Sequence, residues 1–357
     1  MQKKIIALAV AGLVSGAAFA QTNVTVYGVA DVGYNYASSD GQKFSGIQDG
    51  GDVGLQGSRI GFRGEEALGN GLKAVFTIEF GYNIKDGAGT GLRNNRQSFV
   101  GLAGNFGSLT FGRQYAPSGA GYLGATSSNG ITSVNISNYH AQLFRTLQTG
   151  NGSRWDNSVA YDSPNLSGFQ LRAIYSFGNN IRDSFGDATE DSSRFGLGVK
   201  YANGPVFVSA MYQTVLRDDA AAPNAIGDGS NKAWAIGGSY DFKVVKVFAN
   251  YIREKDDYWS FDLKKTYWSL GASVPVSAAG TIKAEYGRYK TDVRDTRSHG
   301  ISVGYEHALS KRTTLYTYVA RLSNQDNIGA TVIRGAAAVG INGENQTGFA
   351  MGINHKF

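Results

Sequence analysis

Charged side chains at every second position are the clearest chemical pattern in this sequence. Arg59, Arg63 and Glu65 share one parity of their segment, and the residues between them are apolar or glycine. Arg154 and Asp156 repeat the pattern. Since successive side chains of a β-strand point to opposite faces, these charges would line one face of a wall. A row of charges on one face must be in contact with water or a charged partner, either in the lumen of a membrane wall or on the solvated face of an ordinary sheet.

Enzymatic or metal chemistry has little support. A nucleophile needs a positioned base, but the four histidines, His140, His299, His307 and His355, are not grouped with a Ser or carboxylate motif. Cysteine is absent. The acidic stretch Asp49–Asp52 could hold a divalent ion, although exposed Asp in Gly-rich turns usually binds nothing. We expect no enzyme activity, no cofactor and no metal.

Residues 1–20 have the layout of a cleavable secretory signal. Two lysines precede an apolar run at 5–14, and small residues follow at Ala18 and Ala20. Removing the two lysines changes the formal charge from 34 − 28 = +6 to 32 − 28 = +4 over residues 21–357. The remaining Lys and Arg are scattered along the chain, which argues against nucleic acid as a partner.

Composition favours strands over helices. The chain has 20 Tyr, 19 Phe, 49 Gly and only 5 Pro, too much glycine for a helical domain. After residue 20 no apolar run is long enough to cross a bilayer as a helix, and the mean hydropathy is −0.24. A transmembrane β-barrel is also polar on average, because every second residue of each strand faces its aqueous lumen.

Short turns and longer polar segments alternate between stretches of period-two hydrophobicity. This alternation predicts one all-β domain over 21–357, a transmembrane 16-stranded antiparallel up-and-down β-barrel. Barrels of about 16 to 18 strands leave an aqueous channel, so the strand count is itself a functional prediction. The predicted strands are 24–37, 58–66, 72–83, 96–104, 108–115, 154–162, 169–178, 193–202, 205–216, 232–242, 244–256, 264–276, 280–291, 297–308, 313–325 and 347–357.

Several short motifs occur in a characteristic order. They are Val24-Thr25-Val26-Tyr27-Gly28, the segments 58–64, 98–102, 111–114 and 157–161, and a last strand ending at Phe357. In this order they resemble the trimeric general porins of Gram-negative bacteria, in the beta-proteobacterial branch of neisserial and burkholderial type. The resemblance covers the whole chain after residue 20.

The resemblance implies an outer-membrane homotrimer, in contact with membrane lipid and lipopolysaccharide, through which small hydrophilic solutes diffuse. It implies that Phe357 forms part of the signal for the barrel assembly machinery. It also implies that a third long loop folds into the barrel and narrows it. Residues 116–153 fit this constriction loop.

Basic side chains line the constriction in this family. The candidate positions here are Arg59, Arg63, Arg96, Arg113, Arg145 and Arg154. Arg59 and Arg154 have the parity expected for the lumen. Arg113 shares the parity of Leu109 and Phe111, which would point it at lipid, so its place in the pore requires a β-bulge or a position beyond the hydrocarbon zone.

The proposed loop departs from the family pattern in its charge. Many general porins present loop carboxylates opposite the arginines, but residues 116–153 contain no Asp or Glu, and Arg145 adds a positive charge. The narrowing should therefore be net positive and favour anions, unless a wall carboxylate reaches it. The candidates for such a carboxylate are Asp31, Glu65, Glu79 and Asp156.

Two other functions of a barrel stay open at this point. One is an adhesin or receptor, for which the barrel only mounts the loops. The other is a substrate-specific channel, for which we would look for an aromatic ladder or a lysine cluster, and neither stands out. Conductance separates a pore from an adhesin.

Overall fold

The computed structural model describes residues 23–87, 95–118, 154–177, 193–217, 229–257, 263–329 and 341–357. Within them lie one helical turn, α1 (Gly50–Val53), and seventeen strands of one antiparallel sheet. The strands are β1 (Asn23–Ser39), β2 (Gln42–Asp49), β3 (Arg59–Gly69), β4 (Leu72–Gly81), β5 (Asn95–Gly104), β6 (Gly107–Tyr115), β7 (Arg154–Asp162), β8 (Phe169–Ser176), β9 (Arg194–Asn203), β10 (Val206–Arg217), β11 (Gly229–Asp241), β12 (Lys246–Asp256), β13 (Leu263–Pro275), β14 (Gly280–Thr291), β15 (Arg297–Ala308), β16 (Thr313–Asn324) and β17 (Gln346–Lys356).

The sheet closes on itself as a barrel with sixteen wall positions. Strand β17 pairs with both β16 and β1. On its other edge, β1 pairs with β3 through its first half and with β2 through its second half, so β2 and β3 occupy one position. The predicted 16-stranded antiparallel barrel is confirmed, and closure leaves no exposed sheet edge around the wall.

The N-terminal hairpin differs from the prediction. Residues 42–49 form β2, whereas the predicted strands end at 37 and resume at 58, which left 38–57 as a polar loop. Asp40 and Gly41 both have positive φ, 39° and 76°, as a two-residue hairpin turn of type I′ requires. The prediction was wrong here because β2 is too polar for hydrophobic alternation to reveal it. Its strand geometry comes from pairing with β1.

Apolar side chains lie on the outside of the wall and polar side chains on the inside, the opposite of a soluble protein. Large apolar side chains such as Trp234, Ile236 and Ile301 are exposed on the outer face. Polar side chains such as Asp31 and Asn231 are fully buried on the inner face. A barrel in lipid requires this arrangement, because its exterior faces hydrocarbon and its interior holds the polar groups. We call the inner face the lumen face.

The C-terminal residue joins the two ends of the sheet. The Phe357 amide donates to the Gly28 carbonyl over 3.2 Å, and the Gly28 amide donates to the Phe357 carbonyl over 3.0 Å. A Cβ atom at Gly28 would overlap the Phe357 ring, so glycine is needed here for close approach.

In the part of the chain described above, we find no helix with the length and apolar character needed to span a membrane.

Candidate pore constriction

Glu79 lies between two arginines on the lumen face of β3, β4 and β5. The Arg96 Nε atom is 2.6 Å from Glu79 Oε1, and the Arg59 Nε atom is 3.5 Å from Glu79 Oε2. The Tyr27 hydroxyl donates to Glu79 Oε2 over 3.1 Å. The Glu79 side chain is 5% exposed, so its charge is balanced by these partners rather than by bulk water.

A β-bulge turns Arg96 into the lumen. Glu79 is paired with Gln97 and Phe80 with Asn95, which leaves Arg96 without a residue opposite it. In a regular strand Arg96 and Gln97 would point to opposite faces, yet both line the same cavity. The extra residue therefore adds a guanidinium to the lumen that strict alternation would have placed outside.

Tyr115 joins Arg96 to a third arginine. Its hydroxyl accepts from Arg96 Nη2 over 2.9 Å and from Arg154 Nη2 over 2.7 Å. The Arg154 guanidinium carbon also lies 4.5 Å from the centre of the Tyr115 ring, a cation–π contact. We call Arg59, Arg96 and Arg154, held by Glu79 and Tyr115, the arginine cluster. The sequence interpretation named the three arginines but did not identify Tyr115.

The arginine cluster carries net positive charge. Three guanidinium groups and one carboxylate give +3 − 1 = +2 among these described side chains. Of the four wall carboxylates considered from the sequence, Glu79 is the one that enters the cluster. A cavity of about 560 Å³ opens beside it. It is lined by Arg59, Val75, Glu79, Arg96, Gln97, Phe99, Ala103, Ser108, Thr110, Gln114, Tyr115, Asp162 and Arg172.

Arg172 lies in the same cavity and was not singled out from the sequence. Its Nη1 atom is 2.6 Å from Asp162 Oδ2, and its Nη2 atom donates to Gln114 Oε1 over 3.2 Å. In the predicted strand 169–178, Arg172 has the same parity as Gln170, so alternation could have marked this face as polar. The ion pair to Asp162 depends on the β7–β8 register and could not have been found that way.

Arg63 is adjacent to the arginine cluster, and its guanidinium carbon is 5.3 Å from the centre of the Tyr27 ring. Arg113 has a different environment. It lies opposite Ser98 and shares the parity of Phe111, which is exposed. Its Nη1 atom is 2.6 Å from Asp156 Oδ1, in an ion pair with a half-exposed carboxylate. The structure therefore does not bring Arg113 into the arginine cluster.

A second bulge interrupts strict alternation at the start of β7. Gly112 is paired with Ser158 and Gln114 with Trp155, and Asn157 between them has a φ of 45°. Trp155 is fully buried in one cluster with Ala160, whereas alternation with Arg154 and Asp156 in the sequence predicts that it lies on the opposite face, toward lipid. That prediction was wrong, as was the lumen position predicted for Asp156, because strict alternation fails across a bulge.

The chain turns inward where it leaves β6. Ala116 is fully buried, and the Ser118 amide donates over 3.2 Å to Gln213 Oε1 on the lumen face of β10. This is the direction that an infolded loop requires. The rest of the predicted constriction loop 116–153, including Arg145, lies outside the described residues, as does the predicted signal at 1–20.

Comparisons with known proteins agree with the barrel and its lumen. A family model described as Gram-negative porin matches residues 7–327. The chain is 35% identical to outer membrane porin protein 32 of Delftia acidovorans, with 100% of both chains covered. It is 31% identical to an outer membrane porin protein of Bordetella pertussis, with 91% of this chain and 95% of that protein covered.

Among solved structures, the barrel is similar to an anion-selective porin from Comamonas acidovorans. The TM-score is 0.79 at 31% identity, covering 94% of this chain and 100% of that chain. The predicted resemblance is therefore confirmed over nearly the whole sequence. With its sixteen wall positions, polar lumen and apolar exterior, the chain belongs to the Gram-negative porin family and is a channel-forming protein of the outer membrane.

Proposed function

We propose that this porin is a passive diffusion channel that prefers anions, with the arginine cluster as its filter. The observation that carries the proposal is the excess of guanidinium groups over carboxylates around Glu79. Lumen walls of low dielectric constant focus the field of such a cluster, which raises the local concentration of anions and lowers that of cations. Transport then needs neither a cofactor nor a chemical step, and we propose no enzyme activity.

Arg59, Arg96 and Arg154 are the proposed filter, and Arg63 adds to it from its place beside Tyr27. We also propose that Arg145 contributes from the loop and that the loop completes the narrowing. The relative from Comamonas acidovorans is named as anion-selective, which supports the proposed preference at 31% identity.

We further propose a homotrimer in a lipopolysaccharide-containing membrane, inserted through recognition of Phe357 by the barrel assembly machinery. An apolar groove of about 730 Å³ on the outer face, lined by residues of β1, β2, β15, β16 and β17, supports a protein contact on that side. Tyr34, Ile47, Leu315 and Met351 are among its lining residues.

The test is the reversal potential of the refolded protein in a planar bilayer under a salt gradient. We expect an anion-selective potential that moves toward zero in Arg59→Ser and Arg154→Ser. Arg113→Ser is the matched control, because it removes the same charge from the outer-face ion pair with Asp156. Cation selectivity of the wild type would refute the proposed filter, and absence of conductance would favour an adhesin.

A further inference from the structure

A short segment outside the predicted loop also enters the lumen. We call residues 50–58, between β2 and β3, the inner segment. A Cβ atom at Gly50 or Gly54 would overlap the side chain of Asp31, which is fully buried on the lumen face of β1. The neighbouring Tyr34 has the opposite parity and is exposed outside. The inner segment therefore packs against the inside of the wall.

The Asp31 carboxylate fastens the inner segment to the barrel. Its Oδ2 atom accepts from the backbone amides of Leu55 and Gln56 over 2.9 and 2.8 Å. The same carboxylate accepts from the Asn354 side chain and the Tyr316 hydroxyl, each over 2.8 Å. A buried carboxylate is tolerated only when its oxygens are satisfied, and here donors from β16, β17 and the inner segment share it.

The inner segment holds Arg59 in turn. Gln56 Oε1 accepts from Arg59 Nη2 over 2.8 Å, and the Gly57 carbonyl accepts from Arg59 Nη1 over 3.3 Å. A Cβ atom at Gly57 would lie 3.6 Å from Arg96 Nη1, so the segment reaches the second arginine as well. Asp31 is thus connected to the guanidinium of Arg59 through two consecutive residues, Leu55 and Gln56.

From this arrangement we infer that the inner segment is a second part of the constriction and that Asp31 is its positioning residue. This inference rests on the proposed anion filter and assigns the residues that set its geometry. Arg59 is kept beside Glu79 because the inner segment accepts from the side of its guanidinium that Glu79 does not contact. Releasing the segment removes two acceptors of the Arg59 guanidinium and frees Arg59 to move.

One experiment tests whether the inner segment lines the pore. The chain has no cysteine, so Gln56→Cys creates a single reactive thiol. A negatively charged methanethiosulfonate reagent is expected to lower the single-channel conductance of Gln56→Cys and to reduce its anion preference. Ala278→Cys, in the exposed turn between β13 and β14, is the control that should label without either effect. Labelling of Gln56→Cys, verified by mass, with unchanged conductance would overturn the inference.

A second experiment tests the positioning role of Asp31. Asp31→Ala removes the acceptor of both backbone amides but also one negative charge, which by itself would raise anion preference, so the direction of the shift is tested with the charge-neutral Gln56→Ala. We expect Gln56→Ala to lower the anion-to-cation permeability ratio about twofold, because Coulomb attraction falls as Arg59 moves away. Asn35→Ala is the matched control, since Asn35 is equally buried on the same face but donates to Gly33 of its own strand. Gln56→Ala removes the side-chain acceptor of Arg59 Nη2, leaves the Gly57 carbonyl in place, and also applies if Asp31→Ala does not fold.

Different results would refute the anion filter and the positioning role of Asp31. If Arg59→Ser abolishes anion preference while Asp31→Ala and Gln56→Ala match the wild type, the positioning role is refuted and the filter stands. If Arg59→Ser itself has no effect, the filter is refuted. A shift toward cations in both Arg59→Ser and Gln56→Ala, without one in Asn35→Ala, supports the inference.

Discussion

Replacing Glu79 with glutamine removes the one carboxylate of the arginine cluster and keeps the shape of the side chain. The formal charge of the cluster rises from +2 to +3. Because Glu79 contacts Arg96 at 2.6 Å and Arg59 at 3.5 Å, its charge lies at the centre of the proposed filter. We expect Glu79→Gln to increase anion preference.

The magnitude follows from Coulomb's law. A unit charge about 7 Å from a permeating monovalent ion contributes about 0.6 kcal/mol in bulk water and about 2.4 kcal/mol at an effective dielectric constant of about 20. Taking the lower value, screening over a Debye length of about 10 Å at 0.1 M salt reduces it to about 0.3 kcal/mol. Since anion and cation respond in opposite directions, their permeability ratio changes by about threefold at 0.1 M and by about fivefold at 0.01 M.

The assay is the reversal potential of single channels at both salt concentrations, with Glu65→Gln as the control. Glu65 has the same charge and lumen parity, but it is half-exposed and paired with Lys73. We expect a clearly smaller change from this control. An unchanged ratio in Glu79→Gln, or a shift toward cations, would refute the assignment of the cluster as the filter.

Two further predictions concern the fold that holds this site. Gly28→Val should reduce the yield of folded barrel, because the valine side chain would overlap the Phe357 ring. The measurement is the fraction of protein with heat-modifiable gel mobility. A normal yield would contradict the closure described here. Trp155→Ala should destabilise the barrel by about 3–5 kcal/mol, the usual cost of truncating a buried aromatic side chain, measured by equilibrium unfolding in urea. Phe111→Ala, on the exposed outer face of β6, is the comparison, and an equal or larger loss there would contradict the burial of Trp155.

The strands could be predicted because their information is local. In β4, Glu79 and Lys73 share one parity and Phe76 and Ile78 the other, and the structure places the two sets on the two faces as expected. The two faces can be assigned from the sequence because the side-chain period of a strand is two, whichever strand is its neighbour. The closing role of the last strand also agrees with its predicted position at the C-terminus.

Alternation within one segment does not predict the face of a side chain where a neighbouring strand changes the register. Arg96 reaches the lumen and Trp155 enters the core only because each lies at a bulge, one in the β4–β5 pairing and the other in the β6–β7 pairing. A bulge needs one more residue on one strand than on the other, which a single segment does not reveal. The hydrogen bonds of Tyr115 depend on the same registers and escaped prediction for the same reason.

By itself, the sequence determined the all-β class, the number of wall strands, the family and the arginines of the proposed filter. These follow from the period-two pattern, the turn residues and the order of short motifs, all of which are local. Only the tertiary structure decided that Glu79 balances the arginines and that the inner segment is fastened by Asp31. Those contacts join residues 17 to 323 positions apart along the chain, and barrel closure determines which of them meet.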